Sequence, residues 1–399
     1  MVKAGRLRVL VVDDSPANRR SIADILEGSD EIEVIGKAAD GEEALRIALS
    51  FKPDAITLDL EMPKMDGFTF LRILMAKQPI PVIVVSTYSH KDNVFRALEL
   101  GAVDFVAKPT HTTSTDTALR REILQKVLLV RYLRPLSATL PMNVPQSPRP
   151  APPPPTPVPP TPVPAAGAIT LPAPPMPPAM APPDISAFRL PPPDVPAVRP
   201  PPNIAARFIV GIGSSTGGPT ALLDIISRIP EKYPGAIVIA QHMPDKFTKT
   251  FAERLDRKSA LHVTEAKDGD LVTARRAFIC PGKRCMELVI TPNPSGIGWN
   301  EVRLRVTEPS QHDRDIPSAD RLLRSLGPLG SRAYGIILTG MGDDGVAGAR
   351  AIRAGGGTVI AESEETAVVY GMPRAAVRAG VVNESLSLPQ ITDYIAQLQ

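Results

Sequence analysis

The chain has 399 residues, a formal net charge of +3 and only two cysteines, Cys280 and Cys285. A charge this small argues against a general nucleic-acid binder, which needs a concentrated basic face. Two cysteines form neither a disulfide framework nor a zinc signature here, so we expect a reducing compartment. The N-terminus lacks the apolar core of a signal peptide, and no run of about 18 apolar residues occurs, so we expect a cytoplasmic protein without membrane insertion.

Residues 1–133 alternate strand-like apolar runs with helical periodicity. Strands are predicted at LRVLVVDD, EIEVIGKAAD, DAITLDL, PVIVVSTY and DFVAKP, with helices between them and a last helix near Ala118 to Tyr132. Five strands alternating with five helices are typical of a doubly wound α/β domain with a parallel sheet. In such a sheet, chemistry is expected at the carboxyl ends of the strands.

Polar side chains gather at that edge of the predicted sheet. Asp13 and Asp14 follow the first strand, Asp59 follows the third, Ser86 ends the fourth and Lys108 ends the fifth. Three carboxylates brought together favour a hard cation such as Mg²⁺. With a lysine and a hydroxyl beside them, they would stabilise charge on a transferred phosphoryl group. Acidic caps and a solvated lysine are the alternative for any one residue, but the strand-by-strand order favours a site.

This part of the chain resembles the receiver domain of bacterial response regulators over essentially its full length. The resemblance implies that Asp59 is phosphorylated by a histidine kinase, that Ser86 and Lys108 contact the phosphoryl group, and that Phe105 is an aromatic switch. Thr87 neighbours Ser86, so a shift of one position remains open. The resemblance also implies an Mg²⁺ site, whose ligands would be Asp13, Asp14, Asp59 and the backbone carbonyl of Glu61.

Residues 134–205 are dominated by proline, in stretches such as APPPPTPVPPTPVPAA. The segment lacks the aromatic and branched side chains that a core requires. We therefore predict an extended, polyproline-like linker between two domains. A ligand for proline-recognising modules is the weaker interpretation.

Residues 206–399 are predicted to form a second, larger doubly wound domain with a mainly parallel, Rossmann-like sheet. Strands are predicted at RFIVGIG, GAIVIAQH, RAFICPG, YGIILTGM and GGTVIAES, and helices at PTALLDIISRI and DRLLRSLG. CMELVIT and EVRLRVTE show alternation, which predicts an antiparallel hairpin.

Three loops at the carboxyl ends of these strands carry groups that can act together. GIGSSTGGPTAL holds two adjacent serines, QHMP holds His242, and GMGDDG holds Asp343 and Asp344. At one sheet edge, a serine can pass its proton to an imidazole that a carboxylate orients. A capping serine, a packing histidine and an acidic turn are the separate alternatives. The glycine loop lacks the lysine of a phosphate-binding P-loop, so the combination favours hydrolysis.

GIGSSTGGPTAL, QHMPDKF and LTGMGDDGVAG resemble the signature loops of the chemotaxis protein-glutamate methylesterase catalytic domain, and a preceding receiver is that family's usual architecture. The resemblance implies Ser215 as nucleophile, His242 as general base and Asp344 as its orienting acid. Backbone N–H groups of Thr216 and Met341 would line the oxyanion hole. The implied substrates are glutamate methyl esters, and secondarily glutamines, on cytoplasmic chemoreceptor helices. The implied phosphodonor is the chemotaxis histidine kinase, and the catalytic domain would need no cofactor.

One segment departs from the family pattern, because DIPSAD places Asp315 where a histidine is usual, with His312 three residues earlier. We expect the unphosphorylated receiver to cover the Ser215 cleft until Asp59 is phosphorylated. A rival interpretation is a phosphorylation switch whose C-terminal domain binds a nucleotide or partner without catalysis. No helix-turn-helix or basic stripe follows the receiver, which argues against a transcription factor.

Overall fold

The structure is a computed structural model that describes residues 5–87, 91–108, 117–133, 204–291 and 301–399. Both predicted domains belong to one compact unit. The proline-rich linker predicted over 134–205 lies outside the described residues, apart from its last two. Across the described ranges, no helix combines the length and the apolar character needed to cross a bilayer.

The N-terminal domain is a five-stranded parallel sheet with helices on both faces. Its elements are β1 (Leu7–Val12), α1 (Pro16–Glu27), β2 (Ile32–Ala38), α2 (Gly41–Phe51), β3 (Ala55–Leu58), α3 (Gly67–Lys77), β4 (Val82–Thr87), α4 (Lys91–Glu99), β5 (Asp104–Lys108) and α5 (Thr117–Leu129). The strand order is β2-β1-β3-β4-β5, with every pair parallel. The predicted doubly wound fold is confirmed.

Continuous apolar strands give this sheet two cores. Leu10 and Val12 of β1 pack in the core that also holds buried residues of α2, α3 and α4. Val9 and Val11 point the other way and pack with residues of α1 and α5. Because helices cover both faces, successive strand residues are all apolar, which is the pattern of a buried parallel strand.

The C-terminal domain is built around a seven-stranded parallel sheet. Its elements are β6 (Ile209–Ser214), α6 (Gly218–Ser227), β7 (Ala236–Gln241), α7 (Phe247–Lys258), β8 (His262–Glu265), β9 (Arg276–Ile279), β10 (Cys285–Thr291), β11 (Glu301–Thr307), α8 (Ala319–Leu326), β12 (Ala333–Ile337), α9 (Val346–Ala354), β13 (Thr358–Glu362), α10 (Met372–Arg378), β14 (Glu384–Leu386) and α11 (Leu388–Gln397). The strand order is β14-β13-β12-β6-β7-β9-β8.

The edge strands and the hairpin of this domain differ from the sequence-based prediction or add to it. The edge strands β8 and β14 are not predicted, because they have only four and three residues and neither is fully buried. The hairpin of β10 and β11 is antiparallel as predicted, but it forms a separate two-stranded sheet rather than an edge of the main one. Met286 and Leu304 of this hairpin pack in the core with residues of α8.

Candidate active site

The three predicted catalytic loops meet where the strand order of the C-terminal sheet reverses. Strand β6 lies between β7, which follows it in the chain, and β12, which comes much later. The loops after β6 and β12 therefore leave the sheet in different directions. A crevice outside the carboxyl ends of parallel strands at such a switch point is the usual ligand site of open α/β sheets.

The two serines of the glycine loop have different surroundings. Ser214, the last residue of β6, is fully buried, and its hydroxyl donates to Gln241 Oε1 at 2.7 Å. Ser215 is partly exposed and lies in the turn before α6. Gly217 at the start of that helix has a φ of 80°, which a glycine adopts at no steric cost. Ser215 is thus the serine available to a substrate.

His242 is the first residue after β7, and Ser215 is the first residue after the neighbouring strand β6. Ser214 pairs with Gln241 across β6 and β7, so Ser215 and His242 are the next residues on neighbouring strands. The His242 N–H donates to the carbonyl of Ser214 at 3.0 Å. Gln241 Nε2 donates to the carbonyls of both Ser215 and His242 at 2.9 Å. Within the described residues, no hydrogen bond joins the Ser215 hydroxyl to the His242 ring.

Asp344 is held against the His242 ring by the start of α8. Its Oδ2 lies 2.8 Å from His242 Nε2, and its oxygens accept the N–H groups of Ala319 at 2.7 Å and Asp320 at 2.8 Å. Burial raises the pKa of Asp344, but the hydrogen bond and charge of His242 and these two N–H groups outweigh it and hold the pKa below its ordinary value. An ionised Asp344 can orient the ring and stabilise its protonated form.

The other polar residues of these loops differ in their exposure and contacts. Asp343 is exposed and forms an ion pair with Arg314 at 3.1 Å. Asp315, at the position where the family resemblance predicts a histidine, is half-buried, and His312 is exposed. The adjacent Ser318 hydroxyl lies 3.4 Å from Asp344 Oδ1. The segment before α8 therefore contributes to this site through Ser318 and the two helix N–H groups.

The backbone N–H groups of Thr216 and Met341, the two predicted oxyanion donors, belong to loops that approach each other at Ser215. In the part of the chain that the structure describes, neither Thr216 N–H nor Met341 N–H donates a hydrogen bond. The Met341 loop lies close to Ser215, because a Cβ on Gly340 would meet Ser215 Cβ at 2.7 Å. Met341 itself is 43% exposed. Such donors can stabilise an oxyanion that forms on a substrate.

The acidic cluster of the N-terminal domain also forms at its sheet edge. Carboxylate oxygens of Asp13, Asp14 and Asp59 all lie within 4.8 Å of one another. Lys108 Nζ donates to Asp13 at 2.7 Å and to Asp59 at 2.8 Å. Burial lowers the pKa of Lys108, but the charges of Asp59 and Asp13 prevail and raise it above its ordinary value. Three convergent carboxylates are the hard oxygen donors that suit Mg²⁺.

The remaining predicted phosphoryl-site residues lie around this cluster. Ser86 and Phe105 are buried. Glu61, two residues past Asp59, is exposed, and its side chain accepts a hydrogen bond from Asn93 at 3.4 Å. Strand β4 continues one residue past Ser86 to Thr87, whose side chain lies outside the described part of the structure.

Comparison with known proteins shows which families the two domains that carry these sites match. Residues 9–120 match the response regulator receiver domain, and residues 210–395 match the family described as CheB methylesterase. A protein-glutamate methylesterase/protein-glutamine glutaminase of Geobacter sulfurreducens is 44% identical over 395 residues, covering 98% of this chain and 97% of that protein. One of the same name from Myxococcus xanthus is 40% identical and covers 100% of this chain and 99% of its own length.

The chain belongs to the CheB methylesterase family. Among solved structures, the CheB methylesterase catalytic domain of Thermotoga maritima is 38% identical, covers 49% of this chain and 100% of its own, and superimposes with a TM-score of 0.45. The response regulator domain of Thermotoga maritima CheB is also 38% identical and covers 33% of this chain and 99% of its own, with a TM-score of 0.30. The two family matches and the full-length relatives confirm the resemblance to both parts of the family.

The receiver of this CheB family member contacts its catalytic domain beside the active site. The Thr216 hydroxyl, next to Ser215, donates to Asp104 of the receiver. The carboxylate of Asp104 also accepts hydrogen bonds from Lys126 Nζ at 3.0 Å and from the N–H of Phe105 at 2.7 Å. Asp104 is therefore held in place by its own domain while it accepts the hydrogen bond of the Thr216 hydroxyl, next to the predicted nucleophile Ser215.

Aromatic and charged contacts extend this interface between α4 of the receiver and α7 of the catalytic domain. Phe95 stacks on Phe251 with ring centroids 5.3 Å apart, and Phe105 lies 4.7 Å from Phe247. Charged side chains of the same two helices also form ion pairs: Glu99 contacts Arg254 at 2.5 Å and Lys258 at 2.9 Å.

Sequence reasoning missed three polar residues of this site: Gln241, Thr339 and Asp104. Gln241 carries a weak signal, since it is a buried polar residue at the end of an apolar strand. Thr339 has the same signal, because it is a buried polar residue two positions after the apolar strand β12. Asp104 has none, because its partner Thr216 is 112 residues away in the chain.

Proposed function

We propose that this chain is a phosphorylation-regulated serine hydrolase that removes methyl esters from glutamates of chemoreceptor cytoplasmic helices. The same acyl-enzyme chemistry would deamidate receptor glutamines. Full-length relatives named protein-glutamate methylesterase/protein-glutamine glutaminase support both activities. The observation that carries the proposal is the 2.8 Å hydrogen bond between His242 and Asp344. His242 lies beside Ser215, because the two residues directly follow the paired strand residues Gln241 and Ser214. The relatives do not favour a non-catalytic binding protein.

In the proposed reaction, Ser215 Oγ attacks the ester carbonyl and its proton passes to His242. Asp344 stabilises the resulting imidazolium, and the N–H groups of Thr216 and Met341 bind the oxyanion. His242 then returns the proton to the departing methoxide, which leaves as methanol. Water deprotonated by His242 attacks the acyl-enzyme and releases the glutamate carboxylate, with Ser215 restored. With a glutamine substrate, ammonia leaves in place of methanol.

The proposed regulatory input is phosphorylation of Asp59 by the histidine kinase of the chemotaxis system. Asp13, Asp14, Asp59 and the backbone carbonyl of Glu61 would hold Mg²⁺, which supplies charge neutralisation for phosphoryl transfer when bound. Lys108 already contacts Asp59 at 2.8 Å, so it can hold the phosphoryl oxygens. Ser86 would contact the same group, and Phe105 would follow the position of Ser86.

The proposed output of phosphorylation is release of the receiver from the Ser215 cleft. Phe105 packs on Phe247 of the catalytic domain, and Asp104 accepts the Thr216 hydroxyl. Movement of Phe105 would therefore disturb its packing on Phe247 and, through its neighbour Asp104, the contact with Thr216. We assign residues 1–133 to the receiver, 134–205 to the linker and 206–399 to the catalytic domain, and we propose a cytoplasmic location.

The test is mass spectrometry of a methylated receptor fragment incubated with the full-length protein, Mg²⁺ and a small-molecule phosphodonor. The proposal expects loss of one methyl group per modified glutamate with stoichiometric methanol release. Ser215→Ala should abolish both. Asp343→Asn is the matched control, because Asp343 is exposed and faces Arg314 rather than His242. Demethylation by Ser215→Ala at the wild-type rate would refute the proposal.

A further inference from the structure

Thr339 connects the loops that carry the nucleophile and both proposed oxyanion donors. It lies two residues after β12 and directly before Gly340 and Met341, and it is 1% exposed. Its N–H donates to Glu362 Oε2 at 2.8 Å, and its carbonyl accepts the N–H of Ser215 at 3.0 Å. Thr339 is thus joined through its backbone to the nucleophile loop on one side and to strand β13 on the other.

The Thr339 hydroxyl adds a second link to the nucleophile loop. It donates to the carbonyl of Thr216 at 2.8 Å and accepts the N–H of Val369 at 2.9 Å. The carbonyl of Val369 is also near, at 3.5 Å, but the single hydroxyl proton favours the shorter contact to Thr216. Both the donor and the acceptor capacity of this buried hydroxyl are therefore used.

These hydrogen bonds lie on either side of the peptide group that joins Ser215 to Thr216 and carries the Thr216 N–H. Thr339 binds the N–H before that peptide, on Ser215, and the carbonyl after it, on Thr216. The carbonyl of the peptide itself accepts from Gln241 Nε2 at 2.9 Å and from the Gly218 N–H at 2.8 Å. Because the N–H of a trans peptide points opposite to its carbonyl, the Thr216 N–H is directed away from Gln241.

The other proposed donor, Met341 N–H, is fixed by the same residue and its neighbours. Gly340 N–H donates to the carbonyl of Val369 at 3.0 Å, and the carbonyl of Gly340 accepts the N–H groups of Gly371 and Met372 at 3.1 and 2.8 Å. Val369 thus contacts Thr339 through its N–H and Gly340 through its carbonyl. The position of Met341 relative to Thr216 depends on this shared set of bonds.

We propose that Thr339 is a positioning residue that sets the spacing of the two oxyanion donors, Thr216 N–H and Met341 N–H, through its side-chain hydroxyl. This inference rests on the proposed function of the Ser215 site. A valine of the same shape would fill the space but leave the Thr216 carbonyl and the Val369 N–H without their partner. Buried polar groups that lose a partner are costly, so the loops would shift to satisfy them.

The test compares Thr339→Val with Thr339→Ser in the full-length protein, with Mg²⁺ and a phosphodonor present so that docking of the receiver is not limiting. Methanol release from a methylated receptor peptide gives kcat and KM separately. Because the donors act on the transition state, Thr339→Val should lower kcat by about ten- to a hundredfold and change KM by less than about threefold. Thr339→Ser keeps the hydroxyl and should stay within about threefold of wild type in kcat.

Thermal unfolding of each variant, followed by circular dichroism, separates loss of fold from loss of positioning. If Thr339→Val does not fold, Thr339→Ala replaces it in the comparison with Thr339→Ser. Alanine also lacks the hydroxyl, and its side chain is not branched. A folded variant without the hydroxyl that keeps kcat within about twofold of wild type overturns the inference. The inference is also overturned if kcat falls as far in Thr339→Ser as in the variant without the hydroxyl. Absence of methanol release from the wild-type protein overturns the proposed function, and this inference with it.

Discussion

Replacing Glu362 with glutamine should make the protein more stable at neutral pH. Glu362 is 1% exposed, at the end of β13, where its carboxylate accepts the N–H of Thr339 at 2.8 Å. Burial raises the pKa of Glu362 to about 7 from an ordinary value of 4.5, against hydrogen bonds from Thr339 and Thr366 that lower it. A glutamine keeps an oxygen for the Thr339 N–H and carries no charge.

The magnitude follows from the difference between these pKa values. The folded protein retains the Glu362 proton at pH values where the unfolded chain has lost it, so stability falls as pH rises from 4.5 to about 7 and is level above that. At about 1.4 kcal/mol per pH unit, the full effect is roughly 3 kcal/mol. The glutamine variant lacks this loss, so its advantage over wild type should be small near pH 5 and about 3 kcal/mol near pH 8.

Urea unfolding followed by circular dichroism across this pH range measures the difference. Glu364→Gln is the control, because it removes a carboxylate from an exposed position two residues along the chain. A Glu362→Gln advantage that does not change between about pH 5 and pH 8 would refute the reasoning, and so would a variant less stable than wild type at about pH 8.

Three further outcomes test the proposed regulation and the proposed triad of Ser215, His242 and Asp344. Asp59→Asn should retain the basal rate of methanol release but lose all stimulation by a phosphodonor. Glu99→Gln removes two partly exposed ion pairs across the interface, each worth about 0.5–1 kcal/mol, and should raise the unphosphorylated rate by roughly five- to thirtyfold. Asp92→Asn is its control, because the Asp92 contact with Arg257 is 3.8 Å long and exposed. Asp344→Asn should lower kcat by about 10³–10⁴ by disturbing the His242 tautomer, measured with saturating peptide.

The positions of the chemical groups along each domain can be predicted because parallel sheets place them by rule. Asp13, Asp59 and Lys108 each end a continuous apolar run, and the runs alternate with helices. That pattern alone brings the three side chains to one edge, where the structure finds Lys108 in contact with both carboxylates. His242 and Ser215 follow from the same rule, because the ends of β6 and β7 are neighbours.

Contacts between distant elements cannot be predicted in this way. Asp104 begins β5 and contacts Thr216 only because two domains pack together, and no local pattern encodes that packing. The Thr339 hydroxyl forms hydrogen bonds with two loops, at Thr216 and Val369, which lie 123 and 30 residues away in the sequence. The short strand β14 is also hidden, because three residues at a sheet edge show too little alternation to distinguish them from a loop.

The most direct test of the central claim is detection of a covalent intermediate on Ser215. The full-length protein, phosphorylated and mixed rapidly with a methylated receptor peptide, is quenched in acid and analysed by mass spectrometry after proteolysis. The mechanism predicts an acyl adduct with the mass of the methylated peptide less methanol, attached to Ser215. Continued peptide demethylation with no adduct at any time, together with full activity of a protein that lacks the Ser215 hydroxyl, would contradict it.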